Sequence, residues 1–200
     1  QILLYSKMEV GRLELEEHAY SMEHLITELM QMLLYNLHGH DVGCRARFAT
    51  PIPQTVIGDE EHVREILQNV ISNAVKFTKS GQIDLTRSCQ DLEDDRVRFC
   101  CLIEDTGAGM TEEQMAHMFE SYRTYTVDGQ EGTGLGMTIV KELCKLMQGD
   151  CKVESQQGKG TRVEVTFCHR KADEGKIQPG EINHFTLVDR IVNYKDDVCP

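Results

Sequence analysis

The residues best suited to chemistry are three polar side chains in the segment 68–78, QNVISNAVKFT. On a helix with ~100° per residue, Asn73 and Lys76 project within about 40° of Asn69, and the apolar residues fall on the other side. An Asn oxygen suits a magnesium ion held mainly by phosphates and water, and a Lys ammonium beside it attracts phosphate. The segment therefore indicates a face that binds metal and phosphate, with an ordinary solvated face as the alternative.

Two glycine-rich segments follow and offer complementary chemistry. Residues 105–110, DTGAGM, come directly after a predicted strand. The Asp105 carboxylate can accept a hydrogen bond from an exocyclic amine, and the glycines let the backbone approach a flat ring. Residues 132–136, GTGLG, lead into a predicted helix whose N-terminal N–H groups favour an anion. This second segment has neither the ending of a Walker loop nor the preceding strand of a dinucleotide fingerprint. An ordinary Asp-Gly turn and a plain helix cap are the alternatives.

The polar stretch 120–133 lies between these segments and has no helical or strand periodicity. Gly129 and Gly132 are candidate hinges, so the stretch is predicted to close as a lid over a ligand. Arg123 is its one arginine and a candidate phosphate ligand, with a solvated surface position as the alternative.

The elements that position these residues follow from periodicity and end signals. We expect helices over 1–8, 22–37, 60–79, 112–119 and 134–147, and strands over 13–15, 42–50, 82–90, 96–104, 151–155 and 161–169. Ser21 and Asp59 are predicted N-caps, and Thr111 with Gln114 is a predicted capping box. Strands and helices do not alternate regularly. The pattern therefore favours an α+β fold, a two-layer α/β sandwich with a mixed, mostly antiparallel sheet and helices on one face.

Composition limits the classes of function. The 200 residues, 40% of them hydrophobic, suffice for one domain with a core and a short appendage. The net charge of −12 argues against non-specific binding to nucleic acid or to an anionic membrane. There is no apolar run of membrane-spanning length, no signal-peptide start and no CxxC pair among the eight cysteines. We therefore expect a soluble, cytoplasmic protein. The start at Gln1, in mid-pattern and without an initiator Met, predicts a piece of a longer chain.

Five segments, in order, resemble the sequence boxes of sensor histidine kinases. NAVKFT at 73–78, DTGAGM at 105–110, MFESY at 118–122, GTGLGM at 132–137 and GKGT at 158–161 are similar to the family's N, G1, F, G2 and G3 boxes. SKMEVGRLELE at 6–16 also resembles the exit from the family's dimerisation hairpin. The resemblance implies the Bergerat-type ATP-binding fold that is shared with gyrase, Hsp90 and mismatch-repair ATPases. It also implies ATP and Mg²⁺ as ligands, bound under a mobile lid.

The resemblance assigns roles to individual residues. Asn73 would ligate Mg²⁺, Lys76 would contact phosphate and Asp105 would bind the adenine amine. The other residues implied to contact the nucleotide are Phe77, Gly107, Gly109, Met110, Arg123, Gly132, Thr133, Gly134, Leu135, Gly136 and Thr161. Asn69, also counted as catalytic, stands where hydrolysing members of the superfamily carry Glu. An amide cannot take a proton from water, so phosphate transfer is favoured over hydrolysis. Glu65, one turn earlier, is not expected to substitute.

The resemblance also divides the chain. It implies the end of a dimerisation helix at 1–10, a catalytic domain at 11–169, and a tail or linker at 170–200 that leads towards a further domain in one interpretation. None of the eight histidines has the setting of a phosphoacceptor, so the acceptor is expected outside this sequence. The implied partners are the dimerisation and phosphoacceptor helices of the same protein, in a homodimer, and a response regulator receiver domain. A non-catalytic nucleotide-binding module and an ATPase of the gyrase or Hsp90 type are the alternatives.

Overall fold

The computed structural model describes residues 1–122, 133–172 and 175–181. The helices in these ranges are α1 (Ile2–Glu9), α2 (Met22–Asn36), α3 (Glu60–Phe77), α4 (Glu112–His117) and α5 (Gly136–Leu146). The strands are β1 (His18–Tyr20), β2 (Asp41–Phe48), β3 (Ile52–Pro53), β4 (Val56–Gly58), β5 (Ser80–Asp91), β6 (Arg96–Asp105), β7 (Cys151–Gln156), β8 (Gly160–Lys171), β9 (Lys176–Ile177) and β10 (Gly180–Glu181). No helix of this described part is both long and apolar enough to cross a membrane.

Helices α2, α3 and α4 begin where the cap residues predict. The Ser21 hydroxyl accepts a hydrogen bond from the backbone N–H of His24 at 3.3 Å, at the start of α2. The Asp59 carboxylate accepts one from the backbone N–H of His62 at 2.9 Å, at the start of α3. Thr111 forms the predicted reciprocal capping box at the start of α4. Each cap satisfies a backbone donor that has no partner within its helix, and all three predictions are confirmed.

The strands form a large, mostly antiparallel sheet in the order β1-β4-β8-β6-β5-β2-β10, with β7 paired to β8. β2 and β5 are parallel, whereas the other strand pairs are antiparallel in the ranges that the structure covers. β3 and β9 form a separate two-stranded ladder. The predicted mixed α/β sandwich is therefore confirmed.

The core lies between one face of this sheet and helices α2, α3 and α5. Alternate residues of β5, β6 and β8 are buried, as expected for strands with one covered face. Each helix contributes a buried apolar stripe, which includes Leu25, Ile26 and Leu29 of α2, Ile66, Leu67 and Val70 of α3, and Ile139, Val140 and Leu143 of α5. α3 packs against both other helices, and Asn73 and Lys76 near its C-terminal end are half-buried.

The connector before α2 differs from its prediction. Residues 13–15 form no strand, and β1 lies at His18–Tyr20, where it pairs with β4. Leu13 and Leu15 are partly buried against the core. Their alternation therefore reflects the packing of an extended connector and not pairing in the sheet.

Two boundaries near the C-terminal half also differ. α5 begins at Gly136, two residues after the predicted start. β8 continues to Lys171, and the short strands β9 and β10 pair with β3 and β2. Residues 170–181 thus contain strands that pair within the described part of the chain.

Candidate functional site

Helix α3 carries the residues predicted to bind metal and phosphate. Asn73 and Lys76 are both half-buried on its C-terminal half. The Lys76 ammonium lies 5.3 Å from the centroid of the Phe77 ring, a cation–π contact that keeps the charge next to the helix end. The spacing of three residues places the Asn73 carboxamide and the Lys76 ammonium on the same face of the helix.

Asn69 lies deeper than its two neighbours on this face. It is 6% exposed, and its Nδ2 donates to the backbone oxygen of Glu65 at 2.8 Å and to the Glu65 carboxylate at 2.9 Å. Its Oδ1 accepts from the Gln1 side chain at 2.5 Å. A Cβ built on Gly136 would come within 2.9 Å of the same Oδ1, so the glycine gives the amide its space. Asn69 is therefore a partnered amide between α3 and α5, with the Glu65 carboxylate against it.

Asp105 lies at the end of β6 and forms the other half of the site. Its Oδ1 accepts a hydrogen bond from the backbone N–H of Gly107 at 2.8 Å. Burial raises the pKa of the Asp105 carboxyl, although hydrogen bonds from the backbone N–H groups of Gly107 and Thr161 act in the opposite direction. A carboxylate accepts more than one hydrogen bond per oxygen, so acceptor capacity remains for a ligand amine.

A pair of hydroxyl groups closes the space behind Asp105. The strand register places Asp105 opposite Thr161 and Thr161 opposite Ser155. The Ser155 and Thr161 hydroxyl oxygens are 3.0 Å apart, and the Ser155 oxygen accepts from the backbone N–H of Met110 at 2.9 Å. Thr161 and Met110 were predicted at this site, whereas Ser155 was not. The signal that identifies Ser155 is the register between β7 and β8, which were predicted as strands over 151–155 and 161–169.

A polar cavity of about 390 Å³ opens at this end of the sheet. Asp105, Ser155 and Thr161 line it together with the cations of Lys159 and Arg162. Arg162 alternates with Thr161 along β8 and therefore lies on the opposite face of the sheet, so the polar wall beside Asp105 consists of the Ser155 and Thr161 hydroxyl groups.

The C-terminal end of α3 packs directly on the bend at 105–108. The backbone N–H of Ala108 donates to the Phe77 carbonyl at 3.0 Å. A Cβ on Gly107 would lie 2.3 Å from the same carbonyl oxygen, so the approach requires glycine. Gly109 has φ +63°, and a Cβ there would lie 2.0 Å from the Gln156 carbonyl oxygen. These contacts join the Asn73 face and the Asp105 end into one packed unit.

The second glycine-rich segment is described only from residue 133 onward. Three residues predicted for this region lie outside the described part of the chain: Arg123, Gly129 and Gly132. The Thr133 hydroxyl donates to the Gln1 side-chain oxygen at 2.8 Å, and Gly134 has φ +68°. The Leu135 side chain is fully buried in the core, so only its backbone can line a ligand site. Gly136 opens α5 directly behind Asn69.

The fold and this site define the class of the protein. A mixed sheet with helices on one face carries an Asn- and Lys-bearing helix that is locked to a glycine bend, an arrangement suited to a nucleotide. Residues 58–171 match the family described as "Histidine kinase-, DNA gyrase B-, and HSP90-like ATPase", and the chain belongs to this family.

Several curated proteins are similar in sequence. The signal transduction histidine-protein kinase BarA of Escherichia coli strain K12 is 30% identical over 163 residues, which cover 80% of this chain and 18% of BarA. The sensor histidine kinase GacS of Pseudomonas protegens is 28% identical over 184 residues, which cover 90% of this chain and 20% of GacS. The chain thus spans about a fifth of the length of these relatives. The resemblance to sensor histidine kinases is confirmed.

Solved structures are similar in fold. Full-length ShkA in complex with AMPPNP superposes with a TM-score of 0.70 and 28% identity, over 86% of this chain and 35% of that one. The Acinetobacter baumannii histidine kinase AdeS superposes with a TM-score of 0.62 and 16% identity, over 86% of this chain and 76% of that one, and this likeness concerns the fold alone. The ShkA neighbour was solved with an ATP analogue bound.

Proposed function

We propose that this chain is the catalytic ATP-binding domain of a two-component sensor histidine kinase, which transfers the γ-phosphate of ATP to a histidine outside this sequence. One observation carries the proposal: the end of α3 packs on the 105–108 bend, with Ala108 N–H on the Phe77 carbonyl at 3.0 Å. This packing fixes the distance between a metal- and phosphate-binding face and a base-binding carboxylate. Positioning of this kind is the main protein contribution to phosphoryl transfer.

Mg²⁺ is the ion that fits the donor set. Asn73 supplies one neutral oxygen, and the described ranges contain no group of three or more His, Cys, Asp or Glu side chains that could hold a metal ion. An ion beside Asn73 would therefore take most of its ligands from phosphate and water, which is the usual coordination of protein-bound Mg²⁺. When bound, it would offset negative charge on the phosphates.

Three residues of the chain have separate roles in nucleotide binding and phosphate transfer. Asp105 accepts a hydrogen bond from the adenine amine and orients the base. Lys76 attracts the phosphates as a compact cation. Asn69 is engaged by Glu65 and Gln1 and has no proton-accepting group, so it does not activate water. The site therefore favours transfer to an oriented nucleophile over hydrolysis.

Domain organisation and partners belong to the same proposal. Residues 1–10 would end a dimerisation helix, and the large exposed fractions of Ile2 (65%) and Leu3 (75%) suit an element that packs against another helix. Residues 11–169 would form the catalytic domain, and 170–200 a tail or linker. The partners would be the dimerisation and phosphoacceptor helices of the same protein, in a homodimer, and a response regulator receiver domain in the cytoplasm.

Titration calorimetry of the chain with ATP, with and without Mg²⁺, tests the binding step. We expect Mg²⁺ to strengthen ATP binding to the parent chain, and Asn73→Ala to remove most of that gain. The matched control is Gln68→Ala, because Gln68 lies on the same helix but contacts Met32 of α2. No ATP binding by the parent chain would overturn the proposal.

The transfer step is tested in the longer protein with ATP labelled at the γ-phosphate. A phosphohistidine is labile in acid and stable in alkali, so the label should show that behaviour and should be lost with Asn73→Ala. An acid-stable label, or labelling unaffected by Asn73→Ala, would contradict the proposal.

A further inference from the structure

Thr78, the residue that follows α3, has a buried hydroxyl without a hydrogen-bond partner among the described residues. Its side chain is 1% exposed, and its Oγ1 makes no hydrogen bond of good geometry within the described part of the chain. A buried hydroxyl without a partner is destabilising, and such groups are rare in native structures. The position therefore calls for a partner that arrives with a ligand or with a small local movement.

The surroundings of this hydroxyl identify that partner. A Cβ built on Gly107 would lie 2.8 Å from Thr78 Oγ1, so the hydroxyl faces the bend that follows Asp105. The hydroxyl also lies close enough to the Asp105 carboxylate to lower the pKa of that group, against the larger opposing effect of burial. Gly107 N–H already binds Asp105 Oδ1 at 2.8 Å. Thr78 is thus the side-chain donor beside a carboxylate that is otherwise held by backbone donors.

We propose that Thr78 is a positioning residue of the base-binding end: when a nucleotide is bound, its hydroxyl donates to the Asp105 carboxylate and holds it as an acceptor for the adenine amine. This inference rests on the proposed function, because it assumes that Asp105 binds the base. It adds Thr78, the C-cap residue of α3, so the end of the helix that carries the metal ligand Asn73 also supplies the orienting donor for the base, two residues beyond Lys76.

Two lysines near Asp105 bear on the pH dependence. Lys159, in the turn between β7 and β8, lines the cavity with Asp105, and Lys76 is the second-last residue of α3. Glu104, Glu154 and Arg162 alternate along their strands with Asp105, Ser155 and Thr161, so their side chains lie on the opposite face of the sheet. A donor to the ionised form of a carboxyl favours that form. Without the Thr78 hydroxyl, Asp105 should therefore become protonated at a higher pH than in the parent chain. As the solution is acidified, ATP binding should be lost at that higher pH.

The test uses Thr78→Val, which keeps the size and removes the hydroxyl, and Thr78→Ser, which restores it. ATP affinity at pH 7.5 should fall about tenfold in Thr78→Val, the effect of one lost hydrogen bond to a charged group. The acid midpoint of ATP binding should move to higher pH, and Thr78→Ser should recover both values. A purely structural role would lower the melting temperature and leave the acid midpoint in place. Thr78→Ala replaces Thr78→Val if the latter does not fold.

A double-mutant cycle with Asp105→Asn separates this proposal from the one on which it rests. If Thr78 acts through Asp105, Thr78→Val should change ATP affinity less than twofold in the Asp105→Asn background. An equal loss of ATP affinity in both backgrounds would overturn the role of Thr78, as would an affinity and an acid midpoint in Thr78→Val that match the parent chain. Neither result would affect the proposal that the chain binds ATP. Failure of the parent chain to bind ATP would overturn both.

Discussion

Replacing Asp105 with Asn should change folding stability and ligand affinity in opposite directions. Burial raises the pKa of the Asp105 carboxyl in the folded state above its unfolded value. Folding therefore favours the protonated form of Asp105. The resulting contribution to the free energy of unfolding is fully present below the unfolded pKa, about 3.9, and is lost as the pH rises through the folded pKa. At pH 7 the folded protein therefore carries a carboxylate that burial disfavours. Asp105→Asn removes that charge and should raise the melting temperature of the ligand-free chain at pH 7.

The loss of affinity follows from the contact that the carboxylate makes with the base. A hydrogen bond to a charged group contributes about 1.5–3 kcal/mol, and each 1.4 kcal/mol is a factor of ten in the dissociation constant. Asp105→Asn should therefore weaken ATP binding by about 10- to 150-fold. The amide oxygen can still accept from Gly107 N–H, which now binds Asp105 at 2.8 Å, so the bend should keep its shape.

The assay pairs calorimetric titration with ATP and Mg²⁺ with thermal unfolding of the ligand-free protein at pH 7 and pH 4. The gain in melting temperature should shrink at pH 4, where more of the parent carboxyl is protonated. Asp84→Asn is the matched control, because Asp84 is an acidic residue of the neighbouring strand that pairs with Arg45 at 2.8 Å, and it should leave ATP affinity unchanged. Unchanged ATP affinity in Asp105→Asn would refute the assignment of the base-binding end. A lower melting temperature would refute the electrostatic argument.

Three further predictions concern the rest of the domain. Asp59→Ala should lower the free energy of unfolding by about 2 kcal/mol in urea titrations at pH 7, because it removes the α3 cap and the acceptor for Glu16 N–H at 2.8 Å. Burial raises the pKa of Asp59, but hydrogen bonds from His62 and Glu16 lower it overall. The parent chain should therefore lose this contribution to the free energy of unfolding as the pH falls below about 4. Acid unfolding of Asp59→Ala that matches the parent chain would contradict this. Arg87→Met should raise the free energy of unfolding by at least about 1 kcal/mol, because the Arg87 guanidinium is fully buried without a hydrogen bond in the described ranges and contacts only the rings of Phe99 at 4.5 Å and Phe48 at 5.8 Å there. A decrease in the free energy of unfolding would refute this. Finally, ATP hydrolysis by the isolated chain should stay well below about one turnover per second in a phosphate-release assay, and a faster rate would show that water is activated in this site.

The structural features that depend on interactions between neighbouring residues were predicted best from the sequence. The caps Ser21, Asp59 and Thr111 were identified because a side chain satisfies the N–H groups of its own helix, within three residues. Strands over 82–90 and 96–104 were predicted from their alternating residues, and the structure pairs them, as β5 and β6, from Ile83–Asp105 to Asp91–Val97. The mixed sandwich followed from the irregular order of these elements.

Elements decided by distant contacts were not predictable in the same way. The strand expected at 13–15 and the one found at His18–Tyr20 are equally short, and only the pairing with β4 selects the latter. The two-residue strands β9 and β10 have no periodicity to detect, since their position depends on partners more than a hundred residues away.

The candidate site shows the same division. Helical spacing alone placed Asn69 beside Asn73, but its burial depends on Gly136 of α5, which leaves space for the Asn69 amide. Ser155 and Thr78 enter the site through strand register and through the packing of the 105–108 bend. Neither contact appears in the residue types of their own segments.

The most direct test of the account is a crystal structure of this chain with AMPPNP and Mn²⁺ in place of Mg²⁺, in which anomalous scattering locates the ion. We predict that the Asn73 side-chain oxygen would be a ligand of the ion, and that the adenine amine would lie within hydrogen-bond distance of the Asp105 carboxylate. An ion bound away from Asn73, or an adenine ring that does not contact Asp105, would contradict the account.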